Sequence, residues 1–102
     1  MTNLQALPEI HILEETETEL EALYRILIHN DNITPMDFVV YILTNIFFLG
    51  TSNAMDIMFK AHITGTAYVQ TVSKSEAEKR INKAHRQADA AGYPLQFSME
   101  PE

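Results

Sequence analysis

Hydrophobic and polar residues alternate through residues 24–29, with Tyr24, Ile26 and Ile28 on one side and Arg25, Leu27 and His29 on the other, which predicts a β-strand. The run stops at Asn30-Asp31-Asn32, short polar side chains that favour turns by bonding their own backbone. At Thr34-Pro35-Met36-Asp37 the pattern changes to that of a helix start. Thr34 is expected as the N-cap, Pro35 at the first helical position, where a missing N–H costs nothing, and Asp37 in the first turn, where it complements the helix dipole. This helix is expected to reach Leu49 and to stop at Gly50. It is apolar nearly all round, with Val39, Val40, Leu43 and Phe47 on one side and Phe38, Ile42 and Leu49 on another, the mark of a helix buried by its own domain or by a partner.

Thr51-Ser52-Asn53 reads as the cap of a second helix, in which Ala54, Ile57, Met58 and Ala61 recur at helical spacing until Thr64-Gly65. Residues 67–72 alternate again and predict a second strand. Ser73-Lys74-Ser75-Glu76 is a capping box, opening a third helix with Ala77, Ile81, Ala84 and Ala88 as its inward stripe and Gly92 at its end. Leu95, Phe97 and Met99 then alternate in a final strand. The order β-α-α-β-α-β most simply forms an α/β (α+β) two-layer sandwich, a three-stranded sheet with three helices on one face. Residues 1–23 stand apart as a flexible acidic N-terminal arm, with Pro8 and a run of Glu at every second position, and residues 24–102 form the core domain.

With 102 residues and 11.6 kDa, a single domain can bury roughly 65% of its unfolded surface, enough for one core without staples. The absence of Cys excludes disulfides, thiol catalysis and thiolate metal sites. The net charge of −7 is localised: six Glu and no Lys or Arg lie in residues 1–23, whereas the remainder holds eight acids and seven bases. Its one basic cluster, around Lys79, Arg80 and Lys83, is interleaved with acids, so no phosphate-neutralising face is expected and nucleic acid is not an expected partner. No leader-like start is evident, and the longest apolar stretch is too short to span a bilayer, so the expectation is a soluble, cytoplasmic protein without a membrane partner.

Most enzyme chemistry finds no support. The three Gly stand alone at 50, 65 and 92, so no phosphate loop exists, and residues 31–37 lack the Gly and terminal Glu of a calcium loop. His29 and His62 lack metal-ligand spacing, so neither metal nor cofactor is expected. His62 ends an apolar helix face one turn after Met58. If the two helices pack side by side, it returns to the polar turn at residues 30–32.

These residues resemble a known family. Tyr24-Arg25-Ile26-Leu27-Ile28-His29-Asn30-Asp31-Asn32-Ile33-Thr34-Pro35-Met36-Asp37-Phe38-Val39-Val40, then Ala54-Met55-Asp56-Ile57-Met58-Phe59-Lys60-Ala61-His62, then Ala77-Glu78-Lys79-Arg80 and Tyr93-Pro94-Leu95, are similar to ClpS, the adaptor that delivers N-degron substrates to the bacterial Clp protease. The resemblance implies a non-enzymatic adaptor that binds N-terminal Phe, Tyr, Trp or Leu and hands its cargo to the ClpA or ClpC unfoldase. It implies that Asn30, Asn32 and His62 hold the substrate α-ammonium, with Asp31 adding negative potential at the rim. Thr34, Met36, Val39, Met58, Ala61 and Leu95 would line the hole for the side chain. Ser75, Glu78 and Arg80 would meet the N-terminal domain of the unfoldase. The chain departs from the family pattern at Asn32, where a second Asp is usual, at Ala61, often Val, and at Ser75, where an acid is common. Alternatives are a paralogue with altered specificity, a helix-docking module like the ribosomal stalk domain, which needs no His62, and a small His/Asp hydrolase.

Overall fold

The computed structural model describes residues 21–102, so most of the predicted acidic arm, through residue 20, lies outside the described residues. Six elements follow in the expected order: β1 (Leu23–His29), α1 (Met36–Asn45), α2 (Thr51–Thr64), β2 (Thr66–Ser73), α3 (Lys74–Ala91) and β3 (Gln96–Pro101). The strands form one antiparallel sheet in the order β2-β1-β3, with Ile28 opposite Ala67 on one side and Phe97 on the other. A bulge at Ile26/Leu27 interrupts the β1–β2 register.

The helices cover the face that carries Ile26, Ile28, Val69 and Phe97. The opposite face is polar: Arg25 pairs with Glu100 at 2.9 Å and lies over the Tyr68 ring. The stripe Ala77, Ile81, Ala84 and Ala88 is buried as its spacing predicts, and its three small side chains let α3 approach the sheet closely. Ser73 caps α3 by accepting from the Glu76 N–H at 3.3 Å, but the box is only half made. The Glu76 carboxylate turns away to Arg80 Nε, 2.7 Å distant.

α1 departs from expectation at both ends. Its N-cap is Pro35, not Thr34, because the Thr34 hydroxyl donates to Asp31 Oδ2 at 2.9 Å instead of capping the helix. It ends at Asn45 rather than Leu49. The Phe47 carbonyl accepts from Gln70 Nε2 at 3.0 Å, a bond to β2 that replaces a rung of the helix, and Phe48 turns the chain in the left-handed region at φ 58°. Gly50, expected to stop α1, is instead the N-cap of α2 with an ordinary φ of −67°, and Thr51, Ser52 and Asn53 lie inside α2 without capping it. No described helix is long and apolar enough to cross a membrane.

Candidate functional site

The last two residues of β1, the turn that follows, the start of α1 and the end of α2 converge with Leu95 on one cavity of about 310 Å³. Convergence depends on two turns. The main-chain N–H of Asn30 donates to the Gly65 carbonyl at 2.9 Å, and Gly65, at φ 95°, closes α2 by donating its own N–H to Ala61 at 2.8 Å. The polar turn is thereby held against the end of α2 that carries Ala61 and His62.

Within the turn, Asp31 is the organising group. Its Oδ1 accepts the N–H groups of Ile33 and Thr34 at 2.8 and 2.6 Å, and its Oδ2 accepts the Thr34 hydroxyl. Partial burial pushes its carboxyl upward, but the N–H groups of Thr34 and Ile33 and the Thr34 hydroxyl outweigh it and hold the group below the ordinary aspartate range. Asp31 therefore stays ionised and keeps a negative charge at the rim.

The four residues expected at an ammonium site (Asn30, Asp31, Asn32 and His62) and the six expected around a side chain (Thr34, Met36, Val39, Met58, Ala61 and Leu95) all line this cavity. Val39, Met58, Ala61 and Leu95 are buried and form its apolar wall, whereas Asn30, Asn32 and His62 are exposed at its mouth. Their three side chains form no hydrogen bond to other described residues, in contrast to Asp31, whose carboxylate is already occupied.

Ile28, His29, Ile33 and Pro35 also line the cavity, though none was singled out for it. His29, Ile33 and Pro35 are each adjacent in sequence to an expected lining residue, and Ile28 stands two positions before Asn30, one strand period away; that proximity is the available signal. Ile33 is 68% exposed at the mouth. His29, the last residue of β1, is half-buried, with Nε2 2.6 Å from Ser98 Oγ.

Ser75, Glu78 and Arg80 lie elsewhere. Leu23, at the start of β1, pairs with Ser73, so the root of α3 is separated from the cavity by the length of β1, about 20 Å. Ser75 and Glu78 are exposed. Arg80 is half-buried and engaged within the fold, bonded to Glu76 and to Gln70 Oε1 at 2.8 Å, with its guanidinium 5.0 Å from the centre of the Phe48 ring. Among the described residues no group of three His, Cys, Asp or Glu is placed to hold a metal ion.

An apolar hole rimmed by free hydrogen-bonding side chains, carried on a small antiparallel α+β sandwich, is the layout of a binding domain. Comparison with known proteins narrows that class. The family model for the ATP-dependent Clp protease adaptor protein ClpS matches residues 19–98, and the chain belongs to that family of Clp protease adaptors. Similar curated proteins include a ClpS adapter protein from Desulfatibacillum aliphaticivorans, 37% identical over 84% of this chain and 83% of its own. ClpS 2 from Mesorhizobium japonicum is 38% identical over 94% of this chain and 99% of its own. The solved structure of Agrobacterium tumefaciens ClpS2 bound to L-phenylalaninamide superposes with a TM-score of 0.77, at 33% identity, covering 80% of this chain and 99% of that one.

Proposed function

We propose that the cavity receives the first residue of a protein chain and that this adaptor delivers such chains to the ClpA or ClpC unfoldase in the cytoplasm. The observation that carries the reading is the set of three uncommitted side chains, Asn30, Asn32 and His62, at the mouth of an apolar hole. A free N-terminus offers N–H donors on a positive charge, and its neighbours must accept: the amide oxygens of Asn30 and Asn32 and a neutral His62 nitrogen do so. Asp31 adds attraction through its charge. The bulky side chain, Phe, Tyr, Trp or Leu, enters between Met36, Val39, Met58, Ala61 and Leu95, with Thr34 at the entrance and the pliable Met36 as the adjustable wall. L-Phenylalaninamide, the ligand of the Agrobacterium protein, combines these two features, a free amine and an aromatic side chain.

Two residues tune this site. Asn32 retains an acceptor but not a charge, which lowers the attraction for an ammonium relative to Asp. Ala61 leaves the wall two methyl groups short of Val, favouring large aromatic residues over Leu. The unfoldase docks at the root of α3 through Ser75, Glu78 and Arg80, at the far end of the sheet, so cargo and unfoldase occupy separate surfaces.

Fluorescence anisotropy with peptides differing only in residue one tests the reading. Peptides starting with Phe, Tyr, Trp or Leu should bind, Arg and Ala starts should not, and N-acetylation of the Phe peptide should abolish binding. Equal binding of free and acetylated Phe peptides would refute the ammonium site.

A further inference from the structure

Leu95 closes one side of the cavity at 2% exposure, yet it belongs to no element and lies in the connection between α3 and β3. Beyond the Gly92 cap, main-chain N–H groups at residues 93 and 97 bond α3 on either side of Leu95. At its start, the Tyr93 N–H donates to the Ala88 carbonyl at 2.9 Å, part of the turn in which Gly92 adopts φ 81°. At its end, the Phe97 N–H donates to His85 Nε2, also at 2.9 Å. Leu95 sits midway between the two anchors. The first is backbone to backbone and indifferent to sequence; at the second end Gln96 and Phe97 stand opposite His29 and Ile28 of β1, and the bond from there to α3 depends on one side chain.

That bond also answers a structural need. Among the described residues β3 is an edge strand paired with β1 alone, and the Phe97 N–H is bonded to α3. A donor in that position requires an acceptor or costs stability. Phe97 itself is buried, its ring 4.7 Å from that of Phe47 and 6.2 Å from the His85 imidazole. The imidazole accepts at Nε2 only as the neutral tautomer protonated on Nδ1. Burial, opposed by Asp89, holds His85 below the ordinary histidine value and so favours that form.

We infer that His85 is a positioning residue for the cavity: by accepting the Phe97 N–H it fixes the segment from Tyr93 to Phe97 and with it the place of Leu95 in the wall. This role rests on the reading of the cavity as the seat of a chain's first residue. Its leverage is dispersion, because a wall displaced by 0.5–1 Å forfeits about a quarter to a half of its contact energy.

The test uses three variants of the full chain and a labelled peptide beginning with Phe, free or N-acetylated. His85→Leu fills the space without an acceptor and should weaken binding of the free peptide roughly tenfold, while speeding hydrogen exchange of the Phe97 amide. His85→Gln restores an acceptor and should return affinity to within about threefold of the parent. In a Leu95→Ala background, adding His85→Leu should change affinity by less than about twofold, since no wall remains to be placed; a merely stabilising role would show the same loss in both backgrounds. If His85→Leu fails to fold, His85→Asn, whose shorter side chain withdraws the acceptor, takes its place with the same expectations. A parent protein that discriminates free from acetylated peptide while His85→Leu binds as tightly as the parent overturns the positioning role alone. A parent that does not discriminate overturns the proposed occupant of the cavity, and this role with it.

Discussion

The Asn30 N–H and the Gly65 carbonyl, 2.9 Å apart, form the bond that turns two distant segments into one site. Asn30 leads the polar turn after β1, and Gly65 ends the helix that carries His62. That bond carries the β1–β2 pairing, in which His29 stands opposite Thr66, one step further, and so sets the acceptors at residues 30 and 32 beside the one at residue 62.

Gly65→Ala tests this link. Nothing stands within 4 Å of a Cβ built there, so the cost comes from the backbone, which must hold φ 95° with a side chain attached. The expected penalty is about 1–2 kcal/mol. Thermal unfolding monitored by circular dichroism should show a melting temperature lower by roughly 4–8 °C per kcal/mol, with weaker binding of a Phe-starting peptide.

The double substitution Asn30→Ala with His62→Ala should separate binding from folding. Both side chains are exposed at the cavity mouth, away from the apolar wall. Anisotropy should show loss of binding to free N-termini, while the circular-dichroism spectrum and melting temperature stay near those of the parent. A lost folded spectrum would mean that these groups support the fold.

Asn32→Asp should tighten binding to a free N-terminus by about 1 kcal/mol, the difference between a charged and a neutral acceptor, or roughly fivefold. Part of that gain should vanish on raising the salt concentration, because Asn32 lies exposed at the rim. Titration at two ionic strengths measures both effects.

Asp31 should make the turn sensitive to acid. Its folded carboxyl lies below the ordinary value of 3.8, so its stabilising contribution is present above that value and is lost as the pH falls through the lower, folded one. Asp31→Asn should remove that portion of the acid dependence and cost about 1 kcal/mol at neutral pH through poorer bonds to Ile33 and Thr34. Melting temperatures from pH 7 to pH 2.5 provide the comparison.

His85 acts in a different window. Its folded value lies below 6.5, because burial penalises the cation more than Asp89 favours it. The neutral form is favoured by folding, so its stability contribution is complete above pH 6.5 and declines as the pH falls from there toward the folded value. His85→Gln should flatten the stability curve just below pH 6.5 and leave the Asp31 limb untouched. Denaturant unfolding across that range, with both variants in parallel, resolves the two contributions.

The elements were legible where local chemistry decided them. The β1 alternation, the Asp31 turn and the small-residue stripe of α3 depend on neighbours within a few positions, and the structure follows them. The ends of α1 were not legible. Thr34 is drawn from its capping position by Asp31, Phe47 gives its carbonyl to Gln70 on β2, and the left-handed residue is Phe48 rather than the nearby Gly50. In the first two cases a side-chain hydrogen bond takes a group at the helix end, and in the second it comes from a residue distant in sequence.

The cavity divides along the same line. Its lining could be named from the sequence because the motif residues are matched to a family pattern, but no spacing rule brings Asn30 to His62. The amino-acid sequence by itself determined which segments become strands, turns and helices, and which residues carry acceptors or apolar bulk, since those properties belong to residues and their immediate neighbours. Tertiary structure alone decided that Asn30 bonds Gly65, that Phe47 gives its carbonyl to Gln70, and that His85 anchors the strand following Leu95. Those outcomes depend on distances between segments that only a packed core holds constant.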